Sequence, residues 1–237
     1  MPAPHISVLV PAFGEAATIE TVVRRVTDLG LDAEIIVIDD GSTDATSQIV
    51  EELISELGGV RLIRHERNQG KGAAVRTGIA ASTGAIVLIQ DADLEYDPAD
   101  IPKLLQPLVT GVADAVYGTR LRGGEPQRAH LFWHYAGNRF LSLLTNVLFN
   151  TTISDMEVGY KAFRGDLVRS FTIVSDDFAF EPEITARVLL TPGIRLYEVP
   201  VSYYGRTYAE GKKITWRDGV KAVWSLLRFR ITARPPR

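Results

Sequence analysis

The amino-acid sequence predicts an α/β fold: a doubly wound, mixed but mainly parallel sheet flanked by helices. Three observations carry that prediction. Short β-branched runs alternate with segments of helical periodicity over the first ninety residues. The run Ala85-Ile86-Val87-Leu88-Ile89 is apolar at every position, as a strand covered on both faces must be. The polar motifs fall directly after strands, at the carboxyl ends where open α/β sheets bind ligands.

In chain order, Ile6 to Val10 is a β-branched run stopped by Pro11. From Glu15 to Leu29 the apolar residues Ile19, Val22, Val23 and Val26 fall at helical spacing. Glu34 to Ile38 reads as a second strand, Asp39-Asp40-Gly41-Ser42 as a turn, and Asp44 to Leu57 as a helix closed by Gly58-Gly59. Val60 to Ile63 is a third strand. After the loop Asn68-Gln69-Gly70-Lys71-Gly72, Ala73 to Ala81 is helical and the apolar run from Ala85 is the central strand. The second half is less regular. A Gly-rich loop from Gly118 to Gly124 precedes an aromatic and aliphatic stretch from Leu131 to Phe149, and a helix from Glu181 to Leu190 precedes a strand around Leu196 to Tyr203.

Bulk composition narrows the possibilities. The 237 residues are 46% hydrophobic and 23% charged, enough apolar material for one well-developed core. The formal charge of -3 hides an imbalance, because no Asp or Glu occurs between Pro126 and Ser154. Without cysteine, neither disulfides nor thiolate metal sites contribute. The first residues lack the basic start and apolar stretch of a signal peptide, and no run approaches the roughly 18 apolar residues of a spanning helix. A cytoplasmic place is therefore expected, and any contact with a membrane would be made from its surface. A nucleic-acid partner is not expected.

The chemistry-bearing motif is Asp91-Ala92-Asp93-Leu94-Glu95, immediately after the central strand. On extended backbone, alternate residues point the same way, so Asp91, Asp93 and Glu95 would present their carboxylates together. Hard oxygen donors of this kind suit Mg²⁺ or Mn²⁺, which leave positions open for substrate phosphates. Asp97 instead caps the helix expected near Pro98. Asp39 and Asp40, at the neighbouring strand end, can accept hydrogen bonds from a nucleobase or ribose, while Ser42 or Asp44 caps the next helix. The segment from Tyr203 to Lys213, with Arg206 and the pair Lys212-Lys213, either closes over a diphosphate or is a solvated loop. The final stretch from Trp216 to Ile231 sets Val220, Val223, Trp224 and Leu227 among Arg217, Lys221, Arg228 and Arg230, a basic amphipathic pattern.

Five motifs then stand in one order: residues 8–15 (Val-Leu-Val-Pro-Ala-Phe-Gly-Glu), 38–44 (Ile-Asp-Asp-Gly-Ser-Thr-Asp), 68–72, 91–93 and Gly118-Thr119-Arg120. In this the chain resembles the family-2 glycosyltransferases, and more narrowly the dolichol-phosphate (polyprenyl-phosphate) mannosyltransferases, from about Ile6 to about Lys213. The resemblance implies a GT-A fold, Rossmann-like, over residues 1–213 as catalytic domain, with residues 214–237 as a basic amphipathic tail for a membrane surface or a partner. It implies inversion at the anomeric carbon and a nucleoside-diphosphate sugar donor such as GDP-mannose or UDP-glucose. Pro11, Ala12, Phe13, Glu15, Asp39, Asp40 and Lys71 would line the nucleotide-sugar pocket together with Asp91, Ala92 and Asp93. Asp93 and Glu95 would hold the metal, Arg206 and Lys212 the diphosphate, and Arg120 and Arg139 the acceptor phosphate. Asp91, Asp93, Arg120 and Arg139 are the catalytic set so implied.

Phe13 stands where the group commonly has Tyr, and Glu95 where similar relatives often have Gln. The segment Asp155-Met156-Glu157-Val158-Gly159-Tyr160-Lys161 only approximates the acceptor-side segment of the mannosyltransferases, so glucose competes with mannose. The acid-free span holds Arg128 and Arg139 among Trp133, Phe140, Leu143 and other apolar residues, as suits a lipid phosphate at a headgroup surface. The same side chains can instead belong to the core or to a homo-oligomer contact, and the tail can need a membrane-embedded partner. A family-2 enzyme with a soluble or polysaccharide acceptor, and a silent nucleotide-sugar-binding module, are the rivals. A nucleotidyltransferase would open on a basic Gly-rich loop, yet Pro11 to Thr18 contains neither Lys nor Arg.

Overall fold

The computed structural model describes residues 5–125, 128, 132–205 and 216–233, the side chains of 216–218 excepted. Seven strands form one sheet: β1 (Ile6–Ala12), β2 (Ala33–Asp39), β3 (Val60–Arg64), β4 (Ile86–Ile89), β5 (Ala115–Thr119), β6 (Lys161–Arg164) and β7 (Leu196–Pro200). Their order is β3-β2-β1-β4-β6-β5-β7. β1 to β4 are mutually parallel where they pair, β6 runs antiparallel between β4 and β5, and β7 is parallel to β5. The chain winds outward from β1 through β2 and β3, then returns to place β4 on the other flank of β1. That reversal opens a crevice at the carboxyl ends of β1 and β4.

The helices follow their apolar periodicity. In α1 (Ile19–Thr27) the buried residues are Ile19, Val22, Val23 and Val26, the four whose spacing predicts the helix. Its start lies four residues after Glu15 because residues 14–16 are held across the crevice. The Gly14 amide donates to Ser42 Oγ (3.0 Å), the Glu15 amide to Thr46 Oγ1 (3.0 Å) and the Ala16 amide to Asp44 Oδ2 (3.2 Å). The loop after β1 therefore takes its shape from the loop after β2, ahead of α2 (Thr46–Glu56). Next, α3 (Lys71–Ala81) begins two residues before the expected Ala73, which turns Lys71 from a loop residue into the first residue of a helix. Asp97 caps the 3₁₀ turn Pro98–Asp100 through the Ala99 amide (3.0 Å), and α4 (Ile101–Val109) follows.

The expected Gly-rich loop begins later than Gly118. Gly118 and Thr119 are the last residues of β5, paired with Val199 and Pro200. A Cβ on Gly118 would sit 3.0–3.1 Å from Val201 and Tyr160, so the glycine is there for close packing and not for a turn. After α5 (Phe132–Phe149), β6, α6 (Gly165–Arg169) and α7 (Phe180–Leu189), α8 (Trp216–Thr232) packs on α5 and α7. A small second core of Leu141, Ile153, Met156, Ala222 and Leu226 joins α5 to α8.

Candidate active site

A cleft of about 380 Å³ lies across the carboxyl edge of the sheet, within the size range of small-molecule sites. Pro11, Ala12, Phe13 and Glu15 reach it from β1, Asp40 from β2, Lys71 from α3, Asp91 to Asp93 and Glu95 from β4, and Arg120 from β5. Asp39 does not line it. Its carboxylate, buried, accepts from the Ser42 amide (2.9 Å) and the Ser47 hydroxyl and so fixes the turn into α2. Asp40 does both jobs. It accepts from the Gln69 amide (2.9 Å) and the Gly70 amide (2.7 Å) and pairs with His65 Nδ1 (2.6 Å), which shapes the loop leading to Lys71.

The acidic motif is gathered by a turn and not by extended backbone. Leu94 has a left-handed φ of 60°, the only such non-glycine besides Asn150 among the described residues. Asp93 Oδ1 accepts from the Glu95 amide (3.1 Å), and Glu95 Oε2 accepts from the Tyr203 hydroxyl (2.8 Å). Asp91 faces a different partner, Lys71 Nζ at 2.8 Å. Among the described residues, no three Asp, Glu or His side chains converge on one point. Asp93 and Glu95 nevertheless fit a hard divalent cation, because Mg²⁺ is commonly held by one or two carboxylates with phosphate oxygens and water completing the shell.

Behind the cleft lies a chain of charges that the sequence does not reveal. Lys71 also contacts Glu181 Oε1 (3.2 Å), and the fully buried Lys161 pairs with Glu181 Oε2. Burial alone would lower the Lys71 pKa, but Asp91 and Glu181 outweigh it and raise it, so the ammonium stays charged. Gly159 is needed here for space: a Cβ would collide with the Asp91 carboxylate. Arg120 forks onto the buried Asp155 (2.7 Å from both Nε and Nη2) and lies over the Tyr203 ring. Its guanidinium is thus oriented before any ligand arrives. Burial pushes the Asp155 pKa up, yet Arg120 and Asn138 bring it net downward, keeping Asp155 ionised.

Glu157 is the exception. Burial, then repulsion from Glu181, push its carboxyl up to about 7, against the pull of Lys161 and Arg120; Asp155 adds to the rise. The folded state therefore favours the protonated acid. The associated stability is intact below the ordinary carboxylate range and is lost as pH rises through about 7. Glu157→Gln is accordingly expected to match the wild type in Tm near pH 5 and exceed it by several degrees at pH 8, a difference of about 3 kcal/mol at most. Thermal melts at the two pH values decide this, and a pH-independent difference would refute it.

Arg139 lies exposed on α5 and does not line the cleft; Arg206 and Lys212 lie outside the described residues. Sequence reasoning missed Tyr96, Glu157, Gly159, Phe178, Glu181 and Tyr203 as lining residues. The available signal was the pair of acids in Phe180-Glu181-Pro182-Glu183-Ile184, since charges inside an apolar helical run imply buried partners. On α5, Trp133 (82% exposed), Phe140, Leu143 and Val147 face outward; on α8, Val220, Trp224, Leu227 and Ile231 (85%) do the same. No helix among the described residues is long and apolar enough to cross a membrane.

Comparison with known proteins gives a consistent result. The model of "Glycosyl transferase family 2" matches residues 7–171. Glycosyltransferase AglJ of Haloferax volcanii is 33% identical over 87% of this chain, which spans 65% of that protein's length. An undecaprenyl-phosphate mannosyltransferase of Micrococcus luteus is 27% identical over 97% of this chain and 96% of its own. Glucosyl-3-phosphoglycerate synthase from Mycobacterium tuberculosis, crystallised with Mn²⁺, UDP and phosphoglyceric acid, superposes with a TM-score of 0.74 at 25% identity, covering 98% of this chain and 80% of that one.

Proposed function

Because the chain belongs to glycosyl transferase family 2 and is a glycosyltransferase, we propose that it moves a hexose, mannose or glucose, with inversion, from a nucleoside-diphosphate sugar to a polyprenyl phosphate at the cytoplasmic membrane face. The observation that carries this reading is the order of groups along the cleft. Pro11, Phe13 and Asp40 stand at one end, Asp93 and Glu95 in the middle, and Arg120 at the other. A nucleoside, a diphosphate and an anionic acceptor need that sequence of surroundings.

Asp93 and Glu95 would hold Mg²⁺ or Mn²⁺, whose chemistry here is to neutralise the charge that builds on the departing diphosphate. Arg206 and Lys212 would counter the same charge. The acceptor phosphate oxygen attacks the anomeric carbon as the bond to the diphosphate breaks. A phosphate monoester has a second pKa near ~6, so it arrives ionised and needs little help from a base. Arg120, already oriented by Asp155, and Arg139 would position it. Residues 1–213 form the catalytic unit of this reading and 214–237 its basic tail. The outward apolar rows of α5 and α8, beside Arg139 and Arg228, suit a headgroup layer.

The phosphoglyceric acid held by the Mycobacterium tuberculosis synthase favours a second reading, a soluble phosphorylated acceptor. A screen separates them: Mg²⁺ or Mn²⁺, each common nucleotide sugar, and either a short polyprenyl phosphate or phosphoglyceric acid. Glycolipid is expected with one donor, and Arg139→Ala is expected to cut its formation tenfold or more while donor hydrolysis persists. Product from phosphoglyceric acid alone would replace the lipid reading.

A further inference from the structure

The carboxyl group of Glu157 lines the cleft but has no part in the reaction just described. Along the edge that carries the cleft the strands run β2-β1-β4-β6-β5. Neighbouring strands are about 4.8 Å apart, so a diphosphate at the β4 carboxylates leaves the nucleoside over β1 and β2. The sugar must then lie on the opposite side, over the start of β6. Because β6 is antiparallel to β4, its first residues are at this same edge, and Glu157 lies just before them.

Glu157 is partly buried, and its Oε1 is enclosed with no hydrogen-bond partner among the described residues. An enclosed polar atom of this sort needs a partner, and one facing a cleft can receive it from a ligand. The surrounding charges are already matched: Lys71 by Asp91 and Glu181, Lys161 by Glu181, and Arg120 by Asp155. Among the described residues no cation is paired with Glu157, and with its carboxyl pushed up to about 7 the protonated form, which can both donate and accept, is well populated at neutral pH. A sugar hydroxyl has the same dual character.

We propose that Glu157 takes a hydroxyl group of the transferred sugar as its hydrogen-bond partner and so selects which sugar the cleft accepts. This rests on the glycosyltransferase reading of the cleft. A site built around such a bond discriminates strongly against a sugar lacking that hydroxyl, because the buried acid is then left unpaired.

The experiment is calorimetric titration, in Mn²⁺, of wild type, Glu157→Ala and Glu157→Gln with UDP, GDP, UDP-glucose and GDP-mannose. For the nucleotide that binds, the ratio of the sugar-nucleotide Kd to the bare diphosphate Kd is expected to rise tenfold or more in Glu157→Ala. The bare diphosphate Kd should change less than threefold, and Glu157→Gln should recover most of the loss. A deoxy donor that loses the same factor on the wild type should lose none on the alanine variant. An unchanged ratio, or equal weakening of diphosphate and sugar nucleotide, would overturn the assignment. So would a hundredfold fall in kcat for Glu157→Gln at unchanged Kd, which would mark a general base for a hydroxyl acceptor. If the wild type binds neither UDP nor GDP, the nucleotide-sugar reading itself fails, an outcome distinct from all of these.

Discussion

Asp93→Ala is expected to lower sugar transfer by about a thousandfold or more, roughly 4 kcal/mol of transition-state stabilisation, with the fold intact. Asp93 lines the cleft on the turn that follows β4, where the proposed mechanism has the diphosphate part from the sugar. Its bond to the turn is a small term by comparison. The side chain accepts from the Glu95 amide at 3.1 Å within a partly exposed turn, a bond of about 1 kcal/mol. For a chain of this size that corresponds to a few degrees in Tm. Two measurements separate the roles: transfer assayed with the donor the screen identifies, and the dependence of nucleoside-diphosphate affinity on Mn²⁺. In the wild type Mn²⁺ should tighten binding; in Asp93→Ala it should not. Near-normal transfer by the variant would remove the basis of the proposed mechanism.

Lys71→Met is expected to act mainly on stability. Its ammonium lies 2.8 Å from Asp91 and 3.2 Å from Glu181, with the side chain only 17% exposed. Removing one partner of a buried ion pair leaves uncompensated charge and costs about 3–5 kcal/mol, or on the order of 10 °C in Tm here. Methionine keeps most of the volume, so the loss reports charge and not a cavity. Because protonation relieves the stranded carboxylates, the penalty should shrink from pH 8 toward pH 5. Thermal melts at both pH values test this. A Tm within 2 °C of the wild type at pH 8 would refute the structural role and leave Lys71 the nucleotide-contact role that the family resemblance implies.

The parts of the fold legible in the sequence are those set by local periodicity. Ile19, Val22, Val23 and Val26 mark one face of a helix and are the residues α1 buries, and the all-apolar run before Asp91 is the central strand. β5 and β6 were not legible, since β5 contains Gly118, β6 opens on Lys161, and both depend on distant partners. Lys161 disguises β6: a charged residue reads as surface until Glu181, twenty residues away, is known to meet it.

By itself the sequence determined the alternating half-sheet, and hence that Pro11, Asp40, Asp91 and Asp93 come to one edge, because strand-end motifs in a parallel layer have nowhere else to go. Which of two adjacent acids faces the cleft was decided by tertiary structure: Asp39 turns under α2, where the Ser42 amide and the Ser47 hydroxyl donate to it, while Asp40 turns toward the loop before Lys71. Tertiary structure also decided which charges neutralise one another, joining Lys71, Lys161, Glu181 and Asp91 and leaving Glu157 without an ion-pair partner among the described residues. The physical reason is that side-chain period is a local property of the backbone. Charge balance in a buried cluster is a sum over residues brought together only when the sheet closes.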